Sequence, residues 1–323
     1  MMSKLKICSL FAGVGGIDLA FEQTGSFETI IANEIDAKAS ETYKLNFNNE
    51  LIQKDIRDIE PENLPDFDVL LSGFPCTSFS IAGYRKGFED ETSGDLFFET
   101  LKVIVEKQPQ IVFLENVKNL VSHDKGNTFK VIREALETNG YHIKYQVLNA
   151  KDYGNIPQNR ERIYIVGFKD IEQYKNFDFP KPINLKQGIT DVIDFSKRVD
   201  DSFYYTEDKY KFYNLLKESI VKSDTIYQWR RKYVRENKSN VSPTLTANMG
   251  TGGHNVPLIL SKYGIRKFTP RECFALQGFP ESFKLPDLAN SHLYKQAGNS
   301  VVVPVVNRIA QNIYKSVNNE VCI

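Results

Sequence analysis

The chain has 323 residues, with 41 Lys and Arg against 41 Asp and Glu, so the formal net charge is zero and charge has to be read locally. Hydrophobic residues make up 41% and charged residues 25%, which predicts a packed core in water, in one large domain or two of unequal size. No apolar run approaches the roughly 20 residues of a bilayer span. Met1 to Leu10 leads straight into a strand-like stretch, and the expectation is a cytoplasmic protein with no membrane partner.

Four cysteines, Cys8, Cys76, Cys273 and Cys322, lie far apart. No CxxC or HExxH spacing exists, so no metal is expected, and disulfides would not persist in a cytosol.

From residue 5 to 170, apolar runs alternate with amphipathic ones, the signature of βα units and a parallel sheet. Lys6 to Leu10 reads as a first strand, followed by a Gly-rich turn and a helix through Ile17 to Gln23. Thr29 to Asn33 is a second strand and Ala37 to Leu45 a helix. Val69 to Ser72 and Ile111 to Leu114 read as buried strands. Between them, Asp95 to Lys107 carries a helical stripe at Leu96, Phe97, Leu101, Ile104 and Val105. Phe129 to Thr138 is a helix that stops near Asn139-Gly140. Tyr141 to Leu148 and Ile163 to Phe168 are expected as an antiparallel pair at the end of the sheet. Residues 171 to 265 are polar with weak periodicity, and read as a smaller, irregular domain. Val301 to Ile313 is an apolar helix expected to pack back on the first sheet.

Gly73-Phe74-Pro75-Cys76-Thr77-Ser78-Phe79-Ser80 puts a cysteine on the loop leaving a strand. Ligands in open α/β sheets bind just outside the carboxyl ends of strands. A thiol there, beside a stiffening proline, is placed to attack. Taken alone it also reads as an inert buried residue, as free cysteines usually are. Phe11-Ala12-Gly13-Val14-Gly15-Gly16 is a GxGG turn between strand and helix, not the GxGxxG dinucleotide pattern. Glu34 ends the second strand about 20 residues on, where a carboxylate can accept both ribose hydroxyls. Asp55 can accept from the exocyclic amine of adenine. Together they fit a nucleoside without phosphates better than NAD.

Glu115, at the end of its strand, is a candidate acid, or else a helix cap or surface carboxylate. Arg160 and Arg162 alternate along a strand with Gln158 and suit carbonyl or phosphate oxygens, or else salt an edge strand with charge. Arg230, Arg231, Lys232, Arg235 and Lys238 crowd beside Tyr227, Trp229 and Tyr233. That cluster fits a solvated helix face and a polyanion site equally.

In this order and over nearly the whole length, the segments resemble the bacterial DNA (cytosine-5)-methyltransferases. The matching blocks are Phe11 to Gly16, Asn33 to Asp36, Asp55-Ile56, Gly73 to Ser80, Gly94 to Glu99, Glu115 to Val117, Gln158 to Arg162, Arg266 to Pro280 (RKFTPRECFALQGFP) and Tyr294 to Val303 (YKQAGNSVVV). The chain departs from the family's usual residues at Thr77 and Ile35.

The resemblance implies an α/β fold: a Rossmann-like S-adenosylmethionine-dependent sheet in residues 1–186 plus 270–323, with a smaller target-recognition domain in 187–269. It implies a sequence-specific DNA cytosine-5 methyltransferase. Cys76 adds to C6 of a flipped-out cytosine, Glu115 engages N3 and the 4-amino group, Arg162 holds O2, and Arg160 acts close by on a phosphate or on Cys76. It also implies S-adenosyl-L-methionine as methyl donor, with S-adenosyl-L-homocysteine as product. Phe11 stacks on adenine, Gly13 and Gly15 let the methionine part approach, Glu34 binds the ribose, and Gly16, Ile17 and Ile35 belong to the same cofactor-binding set. Asp55 and Ile56 contact adenine, and Pro75, Leu96, Asn299 and Val301 line the rest.

DNA contacts are implied for Ser80, Arg85, Lys86 and Gln158, and sequence reading for Arg230, Arg231, Thr244, Asn248 and His254. The implied partner is double-stranded DNA, with a cognate restriction endonuclease sharing the target site without direct contact, and the chain is expected to be a monomer. An RNA cytosine methyltransferase, an NAD-dependent dehydrogenase and a silent DNA-binding module are the competing readings. The missing GxGxxG weighs against the second, and the presence of Cys76, Glu115, Arg160 and Arg162 against the third.

Overall fold

The computed structural model describes residues 3–75, 96–230, 232–237, 239–251 and 256–319. The chain divides into two compact units: residues 1–148, 161–181 and 305–323 in one, 149–160 and 182–304 in the other. The second unit thus takes 149–160, 182–186 and 270–304, which the sequence reading placed in the catalytic domain.

The first unit is built on strands β1 (Leu5–Leu10), β2 (Phe27–Asn33), β3 (Glu50–Ile52), β4 (Val69–Ser72), β5 (Ile111–Val117), β6 (His142–Asn149) and, later in the chain, β8 (Glu161–Phe168). They form one seven-stranded sheet in the order β3-β2-β1-β4-β5-β8-β6. The five strands from β3 to β5 run parallel, and β8 runs antiparallel to β5. β6 and β8 are neighbours at the sheet's end, as their similar lengths implied. Val69, Leu70, Leu71 and Ser72 are all buried, as are Ile111 to Asn116, because helices cover both faces of a parallel sheet.

Helices α1 (Gly16–Glu22), α2 (Ala37–Lys44), α3 (Leu96–Lys107) and α4 (Asn127–Thr138) provide that cover. In α3 the buried face is Phe97, Thr100, Leu101, Val103 and Ile104, whereas Val105, expected inside, is 40% exposed. α4 ends as expected, with Gly140 at φ 85° following Asn139.

The second unit holds more regular structure than its polar sequence implied. Strands β9 (Ile226–Trp229), β10 (Val234–Asn237), β12 (Leu258–Ser261) and β13 (Gly264–Lys267) form an antiparallel sheet in the order β10-β9-β12-β13. Its core gathers Tyr205, Leu216, Ile220, Tyr227, Trp229, Leu258 and Ile265, and Phe212 stacks on Trp229 at 5.0 Å. Sparse aromatics, rather than a long apolar run, close this core, so hydrophobic periodicity gave little sign of it. A separate parallel pair joins β7 (Gln158–Asn159) to β11 (Ser242–Pro243).

Helix α5 (Pro270–Ala275) starts from a capping box in which Thr269 accepts from the Glu272 N–H while Glu272 accepts from the Thr269 N–H. Helix α6 (Asn290–Asn299) follows. The last helix, α7 (Val303–Val317), begins at Val303 rather than Val301, with Pro304 in its first turn. Its Asn307 donates to the Ala20 carbonyl of α1, and Tyr314 meets the Phe27 ring of β2 edge-on at 6.0 Å. This helix therefore packs on the first sheet, as expected.

Candidate active site

Register places the candidate residues of the first unit side by side. Ile52, Asn33, Leu10, Ser72 and Leu114 occupy one row across β3, β2, β1, β4 and β5. The next residues, Glu34, Phe11 and Gly73, therefore leave adjacent strands together at their carboxyl ends, and Glu115, still inside β5, lies in the same row. Strand order reverses between β1 and β4, so the row lies at the switch point where open α/β sheets bind ligands.

The loop after β1 is held by its backbone. Phe11 has φ 54°, an unusual conformation for a bulky residue that surrounding contacts must hold in place. Gly13 and Gly15 have φ 58° and 82°. A Cβ at Gly15 would come within 2.2 Å of the Phe47 ring, so glycine is required there on two counts. Glu34 bridges loop and strand: Oε2 accepts from the Gly13 N–H at 2.7 Å and Oε1 from the Asp36 N–H at 2.7 Å. Burial raises its pKa, while those two N–H bonds oppose the rise.

Asp55 accepts from the Arg57 N–H and side chain, at 3.0 Å to Nε and 2.9 Å to Nη2, and those bonds lower its pKa. It is thus an ionised acceptor at neutral pH. Ile56 is buried, Leu96 is half-buried, and Ile35 is 60% exposed beside Glu34.

Beneath the loop lies a polar network that the sequence reading missed. Asp18, fully buried in α1, accepts from Ser9 Oγ at 3.0 Å and lies 3.1 Å from Tyr43 Oη. Burial pushes its pKa up to about 6. Because the folded value lies above the ordinary 3.8, the stability Asp18 lends is complete below the ordinary value and is lost as pH rises through the folded one. Ionisation costs roughly 3 kcal/mol by pH 7.5. Asp18→Asn should remove that dependence. Its stability relative to the unsubstituted protein should rise by about 1–3 kcal/mol between pH 4 and 7.5, read from urea midpoints at both pH values. A difference that stays constant with pH would rule out ionisation of Asp18 in that window.

Glu115 is 9% exposed, and its Oε1 lies 3.1 Å from Arg162 Nε. The pair follows from the antiparallel turnback of β8, which sets Val117 opposite Arg162. Arg162 Nη1 also donates to the Glu161 carbonyl at 2.9 Å. A Cβ at Gly73 would stand 3.5 Å from Ile17 Cδ1, 3.9 Å from Glu115 Oε2 and 4.0 Å from the Phe11 carbonyl oxygen. Gly73 therefore lies beside both the loop after β1 and the Glu115 carboxyl group. Asn116, absent from the expected site residues, donates from Nδ2 to the Phe74 carbonyl at 2.8 Å. It ties the end of β5 to the segment running into Pro75 and Cys76. Its position next to Glu115 was the only sequence signal for it.

In the second unit, Gln158 is fully buried and Arg160 2% exposed. Gln158 donates to the Leu276 carbonyl at 2.7 Å and accepts from the Leu245 N–H at 3.1 Å. Both ends of the Gln158 amide are thus engaged by groups within the protein. Arg160 Nη1 donates to the Leu245 carbonyl at 2.7 Å, and Nη2 to the carbonyls of Gly298 at 3.0 Å and Ser300 at 2.5 Å. Asn299 is exposed at the end of α6, and Val301 is buried.

Thr244 Oγ1 donates to the Asn159 carbonyl, and exposed Asn248 accepts from Thr246 Oγ1, both at 2.6 Å. The basic cluster is a hairpin, β9 turning into β10, and not a helix face. Arg230, Lys232, Tyr233 and Arg235 are exposed on it. Cys76, Ser80, Arg85, Lys86, Arg231 and His254 lie outside the described residues. Among the described residues no cluster of His, Cys, Asp and Glu could hold a metal ion, and no helix is long and apolar enough to cross a membrane.

A carboxylate–arginine pair at the switch point of a mostly parallel sheet, beside a Gly-rich strand-to-helix loop, fits an enzyme of the Rossmann-like methyltransferase class. The family described as C-5 cytosine-specific DNA methylase matches residues 5–315, and the chain belongs to it. The chain is 74% identical over 312 residues to the Type II methyltransferase M.Bsp6I of Bacillus sp. strain RFL6, covering 97% of this chain and 99% of that protein. It is 39% identical over 328 residues to the Type II methyltransferase M.HhaI of Haemophilus parahaemolyticus, covering 98% and 96%. In fold it is similar to the crystal structure of the S. pombe Dnmt2 methyltransferase, with TM-score 0.74 at 21% identity, covering 98% of this chain and 100% of that one. The methyltransferase EhMeth of Entamoeba histolytica is also similar, with TM-score 0.70 at 19% identity, covering 98% and 99%. The chain is a DNA (cytosine-5) methyltransferase.

Proposed function

We propose that the protein methylates C5 of a cytosine swung out of double-stranded DNA, at a specific sequence, as the modification partner of a restriction endonuclease. The single observation that carries the site assignment is the Glu115–Arg162 pair at 3.1 Å, beside Gly73 and joined through Asn116 to the segment entering Cys76.

S-adenosyl-L-methionine supplies, when bound, the electrophilic methyl that C5 takes, and departs as S-adenosyl-L-homocysteine. The loop residues fit it: Gly13 and Gly15 allow close approach of the backbone, Glu34 offers a buried carboxylate for hydroxyls, and Asp55 offers an acceptor for an amine. Phe11 and Ile35 flank the adenine, with Gly16, Ile17, Ile56, Pro75, Leu96, Asn299 and Val301 completing the binding set.

The cytosine ring is inert at C5 until a nucleophile adds at C6. The Cys76 thiolate forms that bond, and the displaced electron pair is accepted toward N3, where the Glu115 carboxyl holds the proton. Arg162 fixes O2 with its planar fork and orients Glu115. After methylation a water takes the C5 proton, the C6–Sγ bond breaks, and the thiolate returns. Arg160 acts as a positioning residue. Ser80, Arg85 and Lys86 contact phosphates around the swung-out nucleotide, and Arg230, Arg231, Thr244, Asn248 and His254 read or flank the target. The protein works as a cytoplasmic monomer, since one active site serves a whole recognition sequence.

Bisulfite sequencing of a plasmid from cells expressing the chain tests the reaction and reads the target together. The expected result is complete protection of one cytosine position within one recurring short sequence. Conversion of every cytosine in the presence of soluble protein would overturn the reading.

A further inference from the structure

A densely bonded polar cluster among the described residues of the second unit surrounds Gln277, which no part of the mechanism above uses. Gln277 lies in the loop after α5 and is fully buried. Its Nε2 donates to the Ala297 carbonyl at 2.6 Å and reaches the Ser300 carbonyl at 3.4 Å. Its Oε1 accepts from Gln158 Nε2 at 3.2 Å. Its backbone carbonyl accepts from the Val303 N–H at 2.8 Å, at the start of α7. Gln277 therefore grips both ends of the short turn that carries Asn299 and Val301.

The chain of bonds continues to a second segment. Gln158 passes from Gln277 to the Leu245 N–H, and Arg160 spans from the Leu245 carbonyl to the carbonyls of Gly298 and Ser300. The two segments also touch directly, because a Cβ at Gly298 would fall 2.2 Å from the Thr246 carbonyl carbon. Each amide has one satisfied orientation. Reversing Gln277 would set its oxygen against two carbonyls, and reversing Gln158 would set its NH2 against the Leu245 N–H. A buried network satisfied in one way only is rigid.

We propose that Gln277, with Gln158 and Arg160, is a positioning brace that makes the Thr244–Leu245 segment and the Ala297–Ser300 turn one rigid piece. DNA bound at the first then orders the cofactor residues on the second, and cofactor does the same for DNA. The inference rests on the assignment of Thr244 and Asn248 to DNA and of Asn299 and Val301 to cofactor.

The test compares Gln277→Met and Gln158→Met, alone and combined, with the unsubstituted full chain. Methionine keeps length and volume but leaves the carbonyls and the Leu245 N–H without their amide partners. S-adenosyl-L-homocysteine affinity is measured by titration calorimetry with and without a duplex carrying the target read by bisulfite sequencing. Each single variant should bind the product about tenfold more weakly, and the gain on adding duplex should shrink about fivefold or more. KM for the methyl donor should rise more than kcat falls. The double variant should be no worse than the weaker single one, since both amides belong to one chain of bonds.

Wild-type affinity and wild-type gain in folded Gln277→Met would overturn the brace. If Gln277→Met does not fold, Gln158→Met reads the same bonds from the other end with the same expected and overturning results. Asn299→Ala, run alongside, separates the two levels. Weak product binding there with normal binding in Gln277→Met overturns the brace alone, and normal binding in Asn299→Ala overturns the cofactor assignment beneath it.

Discussion

Cys76→Ser should lower methyl transfer by about 10⁴-fold or more, while duplex affinity stays within about threefold. The reason is acidity. A thiol with a pKa near 8.5 carries some thiolate at neutral pH, and a cationic neighbour increases that fraction. An alcohol carries essentially none, and nothing else in the proposed mechanism can make the bond to C6. DNA binding, in contrast, draws mainly on phosphate contacts along the duplex, which the substitution leaves in place.

A second reagent separates chemistry from mere damage at this position. With 5-fluorocytosine at the target, the C5 substituent cannot leave as a cation, so the adduct should survive denaturant with the unsubstituted protein and be absent with Cys76→Ser. Turnover within tenfold of the unsubstituted rate in Cys76→Ser would remove this sulfur from the mechanism.

How much of this was legible before the structure depends on whether the deciding contact is local. Strand positions in the first unit were readable because buried parallel strands are short, continuous apolar runs such as Val69-Leu70-Leu71 and Ile111 to Leu114. The GxGG turn was readable because positive φ leaves a glycine mark, and Gly13 and Gly15 both have it. Phe11 has it too, without leaving any mark, because its residue type gives no sign of positive φ.

The internal partners of Gln158 and Arg160 were not legible, because the deciding contacts are distant in the chain. Alternation along a strand says which side chains share a face, but not whether that face meets solvent or another segment. Their partners, Leu245 and Gly298 to Ser300, are 85 to 140 residues away in the chain. Asp18 was invisible because a carboxylate in the first turn of a helix looks like an ordinary surface residue complementing the dipole. The hairpin beneath Arg230 and Lys232 carries its apolar residues as a few aromatics, which leave no clear period of two.

Glu115→Gln should reduce kcat by about 10² to 10⁴ with much smaller changes in affinity for duplex and product. The geometry makes this substitution informative. Arg162 Nε stands 3.1 Å from one carboxyl oxygen of Glu115, so in the variant the amide oxygen must face the arginine and the NH2 must take the other place, beside Gly73. The substituted amide would then still donate a hydrogen bond into the opening, and could still orient a pyrimidine. It could not deliver a proton. Addition of Cys76 to C6 would leave negative charge on the ring with only a neutral hydrogen bond to spread it.

Ground-state binding survives that change and the transition state does not, which is the pattern of a kcat loss at nearly constant KM. If Glu115 were only a structural partner of Arg162, the amide would serve almost as well, and the loss would appear as lower thermal stability with kcat per folded molecule within a few-fold of the unsubstituted enzyme. The two outcomes differ by at least an order of magnitude in single-turnover rate, measured at saturating DNA and methyl donor so that neither affinity enters. A near-normal single-turnover rate would leave N3 without its acid and require another proton source for the addition step.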